Sequence, residues 1–118
     1  MITIYHNPRC SKSREAFALV EAFAQRRALA VDVVDYLKSP PTFEQLSALK
    51  ELLGCSAADM VRSNEEEFAA LGLAQAGDEA LLRAIAAHPK LLQRPIVVYR
   101  NRAVIARPPE LVDGLLAG

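Results

Sequence analysis

Cysteine is scarce in this chain: 118 residues hold two, Cys10 and Cys55. A disulfide-stapled secreted domain is therefore not expected, and a thiol here reads as catalytic or inert rather than bridged. Charge of either sign is not in excess, because fourteen basic and fourteen acidic residues cancel. That removes any global electrostatic case for nucleic acid or anionic membrane, so a basic site must be local. No apolar run approaches the ~18 residues of a membrane span, and no charged-then-apolar leader opens the chain. Repeats, low-complexity segments and linkers are also missing. What is present is a 52% apolar composition, enough to exclude disorder, on a length suited to one domain. A cytoplasmic monomer with neither a nucleic-acid nor a membrane partner is the expectation.

Ile2–Tyr5 reads as a strand, and from Ser11 the positions Ala16, Phe17, Leu19, Val20, Phe23 and Ala24 follow helical spacing to about Arg27. Leu29–Tyr36 is β-branched and alternating, which makes a βαβ unit with parallel strands. Ser39-Pro40-Pro41 breaks the chain, and the middle third is helical: Thr42 to about Leu53, stopped by Gly54; Ser56 through Val61; Glu65–Leu71; and Glu79–Ala87 capped by Asp78. Ile96–Tyr99 and Ala103–Ala106 flank a turn at Arg100-Asn101-Arg102 and read as a hairpin. Pro108-Pro109 then starts a last helix, Glu110–Leu116. The order β-α-β, helices, β-β-α predicts an α/β protein of thioredoxin-like fold with a mixed sheet. It spans residues 1–118 as a single domain, with a helical insertion at about 42–90.

Cys10 falls where the first strand has ended and the first helix begins. A thiol there faces free backbone N–H groups and the positive end of the helix dipole, which can lower its pKa from about 8.5 into roughly 3.5–7.5. Lys12 and Arg14 add positive charge, Arg14 on the same helix face. The same N–H groups bind anions, so the setting suggests thiol chemistry on an oxyanion. Cys10 to Ser13 spells C-x-x-S, which cannot close on itself, so a partner thiol must resolve any intermediate. The C-x5-R phosphatase loop is absent, since Ala16 stands where its arginine would.

Other candidates carry two readings each. Ser11 and Ser13 suit helix capping and also hydrogen bonding to the thiolate. His6 ends the first strand, either bonded to backbone or assisting Cys10; no second His or Cys lies at ligand spacing, so no metal site is expected. Arg94-Pro95 precedes the third strand, where a thioredoxin-like fold sets a cis-proline opposite its cysteine. Alone, Arg94, Arg107 and Arg62 read as solvated charges, and Cys55 as structural or, alternatively, a resolving thiol.

Tyr5-His6-Asn7-Pro8-Arg9-Cys10-Ser11-Lys12-Ser13-Arg14, Leu73-Ala74, Arg94-Pro95-Ile96-Val97-Val98 and Arg107-Pro108-Pro109-Glu110 resemble, in that order, the glutaredoxin-coupled arsenate reductase family. The resemblance covers essentially the whole chain and is nearest the short members with Cys-Ser-Lys-Ser-Arg. It departs from the best-known members at Ser11-Lys12, where they carry Gly-Thr, and at Arg9, where a small residue is common. It implies that Cys10 attacks arsenate, that Arg62, Arg94 and Arg107 surround the oxyanion, that Arg94 precedes a cis-proline, and that His6 and Ser13 tune the thiol. Ser11 and Arg14 join the substrate-binding set. Glutathione is then the co-substrate and glutaredoxin the partner, with no tightly bound cofactor. Two other functions stay open: thiol–disulfide exchange of the monothiol glutaredoxin kind, and a non-enzymatic regulator of this fold that binds RNA polymerase.

Overall fold

Alternate residues of Ile2–His6 are buried, so this first strand, β1, is half embedded and its side chains sort by face. The computed structural model describes residues 1–117, and Gly118, the last residue of the expected domain, lies outside them. Contacts divide the chain into two compact units, Met1–Ser39 with Arg94–Gly118 and, separately, Pro40–Gln93.

In the first unit, β1 leads through a loop into α1 (Ser11–Arg27). Ala16, Val20, Phe23 and Ala24 form its buried stripe at three- and four-residue spacing. Strand β2 (Val31–Asp35) lies parallel to β1, with Ile2 opposite Val31 and His6 opposite Asp35. It is shorter than expected at both ends. The Leu29 N–H is spent closing the helix end on the Ala24 carbonyl (2.9 Å), and Tyr36 leaves through a turn in which Lys38 donates to the Asp35 carbonyl (3.0 Å). Strands β3 (Ile96–Tyr99) and β4 (Arg102–Ile105) are antiparallel, and β3 also runs antiparallel to β1. Only Arg100 and Asn101 form their turn, both at positive φ (51° and 60°). This two-residue hairpin loop pairs Tyr99 with Arg102, so β4 begins one residue earlier than expected and Ala106 drops out.

The sheet order is β2-β1-β3-β4. With α1 and the final helix α6 (Leu111–Ala117; the elements of the second unit are given below) packed on it, the first unit is a thioredoxin-like α/β fold. One core cluster joins Ile2 and Ile4 of β1, the α1 stripe, Val97 and Tyr99 of β3, and Val112, Leu115 and Leu116 of α6. Ile4 is fully buried on the central strand pair. Ile4→Ala should therefore cost about 2–5 kcal/mol of stability, read as a lower urea midpoint at unchanged slope.

The second unit holds α2 (Phe43–Leu53), α3 (Ala57–Met60), α4 (Glu66–Ala70) and α5 (Asp78–Ala87). Thr42 and Gln45 make a reciprocal capping box at the start of α2, and Gly54 ends it in the left-handed conformation (φ 64°). Leu46, Leu49, Met60, Leu81, Leu82 and Ile85 are buried from these helices. Asp78 corrects an expectation: it is the first residue of α5, and Gly77 stands at the cap position. The Asp78 carboxylate instead accepts the Ala57 N–H (3.1 Å) at the start of α3 and pairs with Lys50 (3.5 Å). A free amide and a cation from other helices outbid its own helix start. No helix of the described residues is long and apolar enough to cross a membrane.

Candidate active site

The segment between β1 and α1 is a tight turn in which the Cys10 N–H donates to the Asn7 carbonyl (3.0 Å) and the Arg9 N–H to Asn7 Oδ1 (3.0 Å). Asn-Pro favours such a turn because the Asn side chain bonds backbone two residues on. Cys10 occupies the helix N-cap in extended backbone, and its carbonyl accepts the Arg14 N–H (3.0 Å). Two side chains of the first helical turn then reach back. The Ser13 hydroxyl accepts the Asn7 N–H (3.0 Å) and pairs with His6 Nδ1 (2.7 Å). Arg14 Nη1 donates to the Pro8 carbonyl (3.0 Å). The loop before Cys10 is thus tied to α1 at Asn7 and Pro8.

Burial pushes the Cys10 thiol up, but the Ser13 N–H, the Arg94 side chain, the Lys12 N–H and the Arg94 charge outweigh it and hold the pKa below the ordinary thiol value. That is the helix-start effect, with one guanidinium added from the far side of the sheet sequence. His6 is depressed too: burial favours the neutral ring, Asp35 opposes, and the Arg14 charge reinforces. The described hydrogen bond of the His6 ring is to the Ser13 hydroxyl rather than to backbone.

Arg94 is half buried, and its Nε has no hydrogen-bond partner among the described residues. Arg107 Nη1 donates to the Arg94 carbonyl (3.0 Å), so the two residues are joined directly. Both precede cis peptide bonds, Arg94–Pro95 and Arg107–Pro108; the first was expected, the second was not. Ser11 is exposed in the first turn of α1, and Lys12 pairs weakly with Glu15 (3.8 Å). The first unit therefore gathers Cys10, His6, Ser11, Ser13, Arg14, Arg94 and Arg107. Arg62 lies in the second unit, its side chain 14% exposed and its Nε on Glu65 Oε1 (3.2 Å). Cys55, also in that unit, is pushed up by burial and by Asp59, which disfavours its thiolate.

The model of the ArsC family matches residues 5–115. An arsenate reductase of Neisseria meningitidis is 44% identical over 98% of this chain and 97% of its own length. The chain belongs to the ArsC family. YfgD of Escherichia coli, an uncharacterized protein, is 42% identical over 94% of this chain and 92% of its own. Among solved structures, an arsenate reductase from Vibrio cholerae superposes with a TM-score of 0.86 at 43% identity, over 96% of this chain and 95% of that one.

Two features of this ArsC-family site were not read from sequence. Asp35 faces His6 across the β1–β2 register and opposes its neutral form; only alignment of the two strands reveals that pairing. The Arg14 Nη1 hydrogen bond to the Pro8 carbonyl is likewise invisible in sequence spacing. The Ser13 hydroxyl is a fully buried node. Ser13→Ala would strand His6 Nδ1 and the Asn7 N–H, so it should lower unfolding free energy by about 1–3 kcal/mol in a denaturant titration.

Proposed function

We propose that this chain is a cytoplasmic arsenate reductase that uses glutathione and glutaredoxin, acting as a monomer without a tightly bound cofactor, its whole length serving as one catalytic domain. The observation that carries the reading is Cys10: a thiol at a helix N-cap, with its pKa lowered and the Arg94 side chain beside it. The family membership and the arsenate reductases among its relatives support the same substrate.

In this reading the Cys10 thiolate attacks the arsenic of arsenate, and one oxygen leaves as water as the S–As bond forms. Arg94 and Arg107, coupled through the Arg94 carbonyl, offset the oxyanion charge with fork-shaped donors suited to tetrahedral oxygens. Ser11 and the free N–H groups at the start of α1 add to the anion site. His6 and Ser13 hold the loop, and Arg14 holds Pro8 while lending charge. Arsenic falls from V to III by taking two electrons from two thiols, which become one disulfide. Glutathione supplies the first thiol, and glutaredoxin takes that glutathione away as a mixed disulfide. Water then cleaves the S–As(III) bond, returning the Cys10 thiol and releasing arsenite. The absence of a second cysteine in Cys10-Ser11-Lys12-Ser13 is consistent with external thiols.

The test is arsenate-dependent NADPH oxidation in a mixture of the protein, glutathione, glutaredoxin and glutathione reductase. Oxidation that requires arsenate supports the proposal. None, with retained exchange on glutathione mixed disulfides, moves the protein to thiol–disulfide exchange.

A further inference from the structure

A groove of about 310 Å³ opens beside the cysteine loop, lined by Asn7, Pro8 and Arg9 after β1 and by Asp35, Leu37 and Lys38 at and after the end of β2. Its size lies at the lower end of the roughly 300–1,000 Å³ of ligand sites. Strands β1 and β2 are parallel, so their carboxyl ends open together on this side, where α/β sheets characteristically take ligands. Neither Arg9 nor Lys38 forms an ion pair with a described residue, and among the described residues the Asp35 carboxylate accepts one hydrogen bond, from the Leu37 N–H (3.3 Å), while its charge also acts on His6. Two unspent cations and one largely unspent anion thus face a single depression next to Cys10.

We infer that this groove docks the reducing thiol, a short peptide carrying two carboxylates and one ammonium, with Arg9 and Lys38 taking the carboxylates and Asp35 the ammonium. The inference rests on the proposed function and names the subsite of its reductant. Glutathione has this charge set. A tripeptide spans about 10 Å when extended, which lets its ends rest on separated charges while the central thiol reaches toward Cys10, the residue after Arg9. Leu37, exposed at 39%, gives the peptide stem an apolar contact.

The experiment is an amide NMR titration of the full chain with S-methylglutathione, which cannot react with Cys10 or donate electrons. Saturable shifts at Arg9, Leu37 and Lys38 are expected, with the dissociation constant raised about fivefold or more in Lys38→Glu and preserved in Lys38→Arg. Equal affinity of wild type and Lys38→Glu, or no saturable shift at these residues, overturns the assignment. The readout is independent of turnover. Groove binding by a chain that fails to reduce arsenate would sink the functional proposal and keep the site, and arsenate reduction with a silent groove would do the reverse.

Discussion

Cys10→Ser is expected to abolish arsenate-dependent NADPH oxidation, a loss of at least about 10⁴-fold in line with removal of other catalytic nucleophiles. A serine hydroxyl in the same place has neither the ionisation nor the nucleophilicity of a thiolate. The helix N-terminus that lowers the thiol pKa cannot bring a hydroxyl into the neutral range. The fold should survive, because Cys10 is only half buried and serine is itself a favoured residue at a helix N-cap. The pH dependence of stability supplies an independent check. The folded thiol pKa lies below the unfolded one, so the thiolate stabilises the native state above the unfolded value of about 8.5. That contribution disappears as pH falls through the folded pKa. Wild type should therefore gain stability over Cys10→Ser as pH rises toward 8.5, measured by denaturant melts across pH. Full activity in Cys10→Ser would rule out the mechanism.

Arg94→Ala should lower kcat/KM for arsenate by about 10²–10³-fold, the usual scale for removing a donor aimed at developing anionic charge. It should also raise the Cys10 pKa, since the Arg94 side chain supplies both a hydrogen bond and a positive charge to the sulfur. The rate of iodoacetamide alkylation against pH reads that shift directly. Arg107 is anchored on the Arg94 backbone carbonyl, which the substitution leaves in place, so the effect isolates one guanidinium. Arg94→Lys should restore much of the thiol pKa but less of the rate, because a point charge lacks the planar fork. An unchanged pKa and an unchanged rate in Arg94→Ala would remove Arg94 from the site.

The places where sequence reading stopped short share one cause. Asp78 sits where a helix cap is expected, yet its carboxylate serves the start of α3, 21 residues away in sequence. The expected strand from Leu29 loses its first two residues to the end of α1, because the Leu29 amide closes on Ala24. Each is a polar group with more than one plausible partner, and local pattern does not rank them. Where only one local solution exists, as with the helix start at Thr42 or the Gly54 helix stop, the sequence pattern and the structure agree.

By itself, the sequence determined the order of strands and helices, the cysteine at the mouth of α1, and the lack of a second thiol in its turn. Periodicity, caps and turn residues act over a few positions and are readable there. Only the tertiary structure decided that Arg107 joins Arg94 and that Asp35 faces His6, and it is what brings the charge of Arg94, 84 positions along the chain, to bear on the Cys10 thiol. Those pairings arise because β3 lies antiparallel to β1 and β2 parallel to it. The field at a thiol or an imidazole is a sum over groups in space, and chain distance does not enter it.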